Sequence, residues 1–125
     1  MDDRQTVGKQ GEEKACDYLR RMGQTIVERN WRSGHLEIDI ITADLRGIHF
    51  VEVKTRTAPV MAAPEANVDR KKQQRLVKAS QSYIRKARKP WMRDMEIFFD
   101  VLTVVLDKDN SIIEYYPQAF IPLYV

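Results

Sequence analysis

The sequence predicts an α/β domain, a mixed β-sheet flanked by helices, and three features carry that prediction. Small and apolar residues recur every three to four positions near the start of the chain and again after Asp69, the helical period. Between those stretches lie runs rich in Ile and Val, two of them joined by a tight loop ending in Gly47. A longer apolar run, residues 96–106, lacks clean alternation, as expected of a strand covered on both faces.

Over residues 6–22 the stripe Gly8, Gly11, Ala15, Leu19 and Met22 reads as an amphipathic helix. Glu12 falls on that inward stripe, whereas Glu13, Lys14 and Asp17 fall toward the polar side, so Glu12 is the acid this helix points at the protein body. After Gly23, residues 26–31 form a short strand and Arg32-Ser33-Gly34 a turn. Residues 35–42 and 48–55 are the arms of a hairpin closed by residues 43–47. Residues 56–67, with Pro59 and Pro64 and little periodicity, read as a mobile loop. Asp69 caps a helix running to about Arg88, with Leu76, Val77, Ser80, Tyr83, Ile84 and Ala87 facing inward and Pro90 stopping it. Residues 96–106 supply a central strand, residues 107–110 a turn and residues 111–116 a last strand. The apolar tail, residues 117–125, is expected to dock on the body.

Composition sets the frame. The 125 residues suit a single domain, with its core over about 6–116, and 43% hydrophobic with 31% charged residues excludes disorder over most of the chain. No run is long and apolar enough for a membrane span, and Met1-Asp2-Asp3-Arg4-Gln5 lacks the layout of a secretory signal, so a cytoplasmic protein is expected. Cys16 is the only cysteine, which excludes an internal disulfide or a cysteine-built zinc site. The whole chain carries +3, yet residues 70–89 hold nine Lys or Arg and no acid, leaving −6 for the remainder. One helix is strongly basic, as a polyanion-binding face or a solvated flank would be.

In the first arm of the hairpin, alternation points Leu36, Ile38 and Ile40 one way and Glu37 and Asp39 the other; in the second, Val51 and Val53 oppose Glu52 and Lys54. Closing the hairpin between Leu45 and Arg46 sets Asp39 opposite Glu52, Glu37 opposite Lys54, and the pairs Ile38/Val53 and Ile40/Val51 on the reverse face. Opposed residues have Cβ atoms roughly 4.5–5.5 Å apart, and like charges so placed destabilise a sheet without a compensating cation. Lys54 is one candidate and a divalent metal the other; magnesium takes oxygen ligands at ~2.0–2.1 Å from one or two carboxylates, water and substrate phosphate. A cross-strand salt-bridge network on a wet sheet face accounts for the same pattern. Glu12 and the basic helix favour the metal.

Gly11-Glu12-x-x-Ala15, Glu37-Ile38-Asp39 and Phe50-Val51-Glu52-Val53-Lys54-Thr55-Arg56, in this order and followed by a basic helix, resemble the bacterial YraN family. That family is similar to archaeal Holliday-junction resolvases and belongs to the restriction-endonuclease-like, PD-(D/E)XK superfamily. The resemblance runs from about Gly8 to Val105. It implies a restriction-endonuclease-like core in which Asp39 and Glu52 are metal ligands, Lys54 is the catalytic lysine and Glu12 is a further acidic residue completing the site. The chain departs from the usual pattern at Leu36, where the family commonly has Gly, and at Phe98, where an Arg commonly precedes Phe-Asp.

Arg56, Lys71, Lys72, Arg75 and Lys78 are the candidate nucleic-acid contacts, each weighed against a plain solvated charge. His35 and His49 read as surface or packing residues, and Asp100, in an apolar strand, as an acid with a structural partner. The expected function is Mg2+- or Mn2+-dependent hydrolysis of phosphodiester bonds in structured or branched DNA, for which a homodimer would suit two symmetric cuts. The alternative is an inactive nucleic-acid-binding or protein-interaction module on a nuclease scaffold.

Overall fold

The computed structural model describes residues 3–59, 65–108 and 110–122. In chain order these form α1 (Asp3–Arg21), β1 (Thr25–Ser33), β2 (Leu36–Ala43), β3 (Gly47–Thr57), α2 (Arg70–Ala87), a 3₁₀ turn at Pro90–Met92, β4 (Glu96–Leu106) and β5 (Ile112–Tyr116). The five strands lie in the order β1-β2-β3-β4-β5, with β3 and β4 parallel and every other neighbour antiparallel. A parallel pair needs a crossover, and α2 is that crossover. This is the mixed sheet flanked by helices that the sequence predicts, consistent with a restriction-endonuclease-like core. Among the described residues no helix is long and apolar enough to cross a membrane.

Each helix covers one face of the sheet. Ala15, Cys16 and Leu19 of α1 pack on Ile40, Val51, Leu102 and Val104. On the opposite face Leu76, Val77, Ala79 and Tyr83 of α2 pack on Ile38, Ile41, Ile48, Phe50 and Phe99. β4 feeds both layers, which is why its sequence shows no alternation. α2 is capped as expected: the Asp69 side chain accepts from the Lys72 amide at 2.8 Å, and Arg88 ends the helix in the left-handed region. Met22 falls beyond α1 and is 56% exposed, not part of the inward stripe. The tail docks through Phe120, stacked on Phe99 with ring centroids 5.0 Å apart, and through the Ala119 amide, which donates to the Phe99 carbonyl. Residues 123–125 of that tail lie outside the described residues.

Two expectations are corrected. β3 continues through Thr57, because its parallel ladder with β4 runs on to Thr57↔Leu106, so Arg56 belongs to a strand rather than to the predicted loop. The stretch 60–64 of that loop lies outside the described residues. Ile38 and Ile40 pack on opposite faces, not on one. β1 bulges between Ile26 and Glu28 and places Asn30 at φ 51°, a left-handed turn of the backbone that breaks the pleat alongside Asp39.

Candidate active site

The site forms where β2 and β3 part. Their ladder follows the predicted register, from Ala43↔Ile48 to Ile40↔Val51. The ladder ends there, so the expected Ile38/Val53 pair does not form; β2 stays bonded to β1 instead, with Trp31 opposite Ile38. The Asp39 side chain fills the breach, and its Oδ2 accepts from the Val53 amide at 2.8 Å. A backbone donor that would otherwise be unpaired at the splay thus fixes the carboxylate. The charge of Glu52 bears on Asp39 and both line one groove, so the two acids meet at this notch rather than across a continuing ladder.

Gly11 lets the third acid approach. A Cβ at that position would lie 2.0 Å from Thr55 Oγ1, so only glycine allows α1 to rest directly on β3. The next residue, Glu12, is thereby brought to the notch, where Asn30 Nδ2 donates to its Oε2 at 2.9 Å and Arg29 Nη2 stands 3.9 Å away. Glu12, Asp39 and Glu52 share the wall of a groove of about 520 Å³ between α1 and β3, which Arg4, Gly8 and Arg56 also line.

Burial, the neighbouring Glu52 charge and, more weakly, Glu12 push the Asp39 carboxyl up to about 8, against the opposing pull of the Val53 amide. Lys72 of α2 supplies the nearest opposite charge to Glu52, with Nζ 3.4 Å from Oε2. Lys72, a candidate phosphate contact, is half-buried beside the carboxylates. Lys54 forms no ion pair with either acid and donates to the Asn67 carbonyl. Glu37 does not face Lys54: it pairs at 3.3 Å with Arg32, its neighbour on β1. The predicted four-residue network is therefore divided, and the Asp39–Glu52 pair stands apart from it. Among the described residues no three His, Cys, Asp or Glu side chains converge into a ready-made metal cage. The donor set still fits a hard divalent cation held by two carboxylates, since such a cation would offset the like charge of Glu52 on Asp39.

Of the remaining candidates, Lys71, Arg75 and Lys78 lie exposed along one outer stripe of α2, with no ion-pair partner among the described residues. Arg56 is exposed at the groove, its Nη1 donating to the Thr55 carbonyl at 2.9 Å. His35 is exposed. His49 is a packing residue: it is buried, with Nδ1 2.7 Å from Asp100 Oδ2 and Nε2 2.9 Å from Asp44 Oδ1. Asp100 has the structural partners expected of it, His49, the Tyr115 hydroxyl and the Gln118 amide. Phe98, at the position where the resembled family commonly has Arg, stacks on His49 at 5.0 Å. Asn30 at the notch was not singled out by sequence reasoning, and no residue pattern marks it.

Fold and site define an α/β domain with a carboxylate notch at the parting of two strands and a groove leading to it. The chain belongs to UPF0102, an uncharacterised protein family whose model matches residues 11–104. A UPF0102 protein of Bacteroides thetaiotaomicron is 38% identical over 122 residues, 98% of each chain. Another from Trichlorobacter lovleyi is 41% identical over 118 residues, 93% of this chain and 91% of that one. Among solved structures, Pyrococcus furiosus SfsA in complex with Ca2+ aligns over 93% of this chain with 17% identity and a TM-score of 0.39; the chain spans 64% of that protein's length.

Proposed function

We propose that this protein is a metal-dependent endonuclease of the PD-(D/E)XK type, hydrolysing phosphodiester bonds in nucleic acid, with structured or branched DNA as its substrate class. The observation that carries the reading is the meeting of Asp39 and Glu52 at the splayed end of the hairpin, with Asp39 held protonated up to about 8. Burial and the like charge of Glu52 and Glu12 raise Asp39, a state that a cation at the notch would relieve. The resemblance of the Glu-Ile-Asp and Phe-Val-Glu-Val-Lys-Thr-Arg segments to the YraN family, and through it to Holliday-junction resolvases, supports the same reading.

In this account Asp39 and Glu52 would hold Mg2+ or Mn2+, and Glu12, turned toward Asn30, adds negative charge that favours a cation there. When bound, such an ion stabilises charge on a reacting phosphate and acidifies water. The Val53 amide keeps Asp39 aimed into the groove. Lys72, 3.4 Å from Glu52, would be placed to offer its charge to a phosphate at the notch. Lys54 exchanges the Asn67 carbonyl for the attacking water or the phosphate oxygen it will neutralise.

A second reading has its own observation. With Lys72 on Glu52 and Lys54 on Asn67, the notch is partly neutralised from within, as a nucleic-acid-binding module without cleavage would allow. Incubation with branched and linear DNA in Mg2+ and in Mn2+ decides between them. The nuclease reading expects cleavage that Glu52→Gln abolishes; equal activity in both proteins contradicts it. Salt-sensitive binding with no cleavage in either metal establishes the second reading.

A further inference from the structure

The groove between α1 and β3 has two chemically different ends. On the helix wall Arg4, Gly8 and Glu12 stand four residues apart and so share one stripe. On the strand wall the order is the same, with Glu52 beside the acids and Arg56 four residues farther along. Eight helical residues span about 12 Å and four strand residues about 13 Å, so both walls carry cationic side chains at the same distance from the carboxylates. Midway between the ends, a Cβ at Gly8 would meet no atom within 4 Å, which leaves open space where any larger helical residue would project.

We infer that this groove is a phosphate-backbone track: one nucleic-acid strand lies along it, with the phosphate to be cut at Asp39 and Glu52 and a further phosphate of the same strand between Arg4 and Arg56. The inference rests on the nuclease reading above and adds a path to it. A strand carries negative charge at regular intervals, which matches one cationic end plus a metal held at the other. The basic outer stripe of α2 lies on the other side of the sheet and would hold a strand away from Gly8. The absence of a side chain at Gly8 is then a requirement of the ligand, since a helix interior by itself disfavours glycine.

The test is anisotropy of a short fluorescein-labelled single-stranded oligonucleotide in Ca2+, with the thermal midpoint of each variant measured alongside. Gly8→Leu fills the track yet improves the helix, so binding is expected to weaken about tenfold or more while the midpoint stays level or rises by about 2–4 °C. Gly8→Ala should lose less affinity than Gly8→Leu, and Arg56→Gln should weaken binding and flatten its salt dependence. Wild-type affinity in Gly8→Leu, with the loss instead following Lys71→Gln/Arg75→Gln/Lys78→Gln, overturns the track and leaves the nuclease reading standing. No binding of this oligonucleotide by the wild-type protein overturns the track, while the cleavage assay on branched and linear DNA decides the nuclease reading separately. Weakened binding in Gly8→Leu together with undiminished cleavage by Glu52→Gln upholds the track and overturns the assignment of the metal pair.

Discussion

β3 runs between two acid clusters that the fold treats in opposite ways. At its start, His49 lies between Asp44 and Asp100; Asp44 also accepts from the Arg46 and Gly47 amides, and Asp100 from Tyr115 and the Gln118 amide. There the hydrogen bonds from His49 and the loop amides outweigh burial and hold the Asp44 carboxyl below its usual range. Seven residues beyond Asp44's turn partner Gly47, at Lys54, the strand has passed a pair in the contrary state: Asp39 and Glu52 face each other, and burial with like charge pushes Asp39 up to about 8. Acids that serve the fold are surrounded by donors, whereas at the notch Asp39 has the Val53 amide, Glu52 has Lys72, and the like charge of Glu52 still raises the cost of charging Asp39. That contrast, rather than the presence of carboxylates, separates structure from chemistry here.

The contrast breaks most visibly at Asp100. Replacement by Ala strands a buried histidine ring nitrogen, a tyrosine hydroxyl and a backbone amide, and should cost about 3–5 kcal/mol in urea unfolding. A loss under about 1 kcal/mol would show that the cluster does not hold the fold together.

At the notch the sign reverses. Asp39 has a folded pKa above its unfolded value, so the stability it contributes is complete below about 4 and lost as pH rises to about 8. Asp39→Asn keeps an acceptor for the Val53 amide without that penalty. In metal-free buffer near pH 8 the variant should be more stable than wild type by about 1–3 kcal/mol, well under the full linkage limit because the site relaxes. The gain should vanish near pH 4, and a destabilised variant at pH 8 would contradict the assignment.

The smallest effect belongs to His49. Burial opposes its charge, but the bonds to Asp100 and Asp44 prevail and raise its pKa. Its contribution is therefore complete below about 6.5 and lost as pH rises through the raised value. In an Asp39→Asn background, which silences the notch, stability should fall by about 1 kcal/mol over that interval, and His49→Gln should flatten the curve. An unchanged slope in His49→Gln assigns the titration elsewhere.

The fold was legible because periodicity reports which face a residue occupies. The inward stripe of α2, the unalternating β4 and the register of the hairpin all follow from such patterns. Periodicity does not report where a ladder stops. The parting of β2 from β3 on the N-terminal side of Ile40 coincides with the left-handed Asn30 of the neighbouring strand, and Asn is tolerated there without being required. Asp39 and Glu52 could be paired from alternation alone, yet the Val53 amide that fixes Asp39 could not be named. Lys72 was readable as one basic residue among nine, but its pairing with Glu52 is a contact between distant elements that helical period does not report. His49 looked like any histidine in a β-run because its partners lie five and fifty-one residues away.

The proposed function requires that Asp39 and Glu52 receive a divalent cation. A crystal of the protein soaked in Mn2+ and measured for anomalous scattering tests it directly. The account predicts a peak bridging Asp39 and Glu52, with Lys72 displaced from Glu52. Lys72 still paired with Glu52 and no peak between the two carboxylates would contradict it.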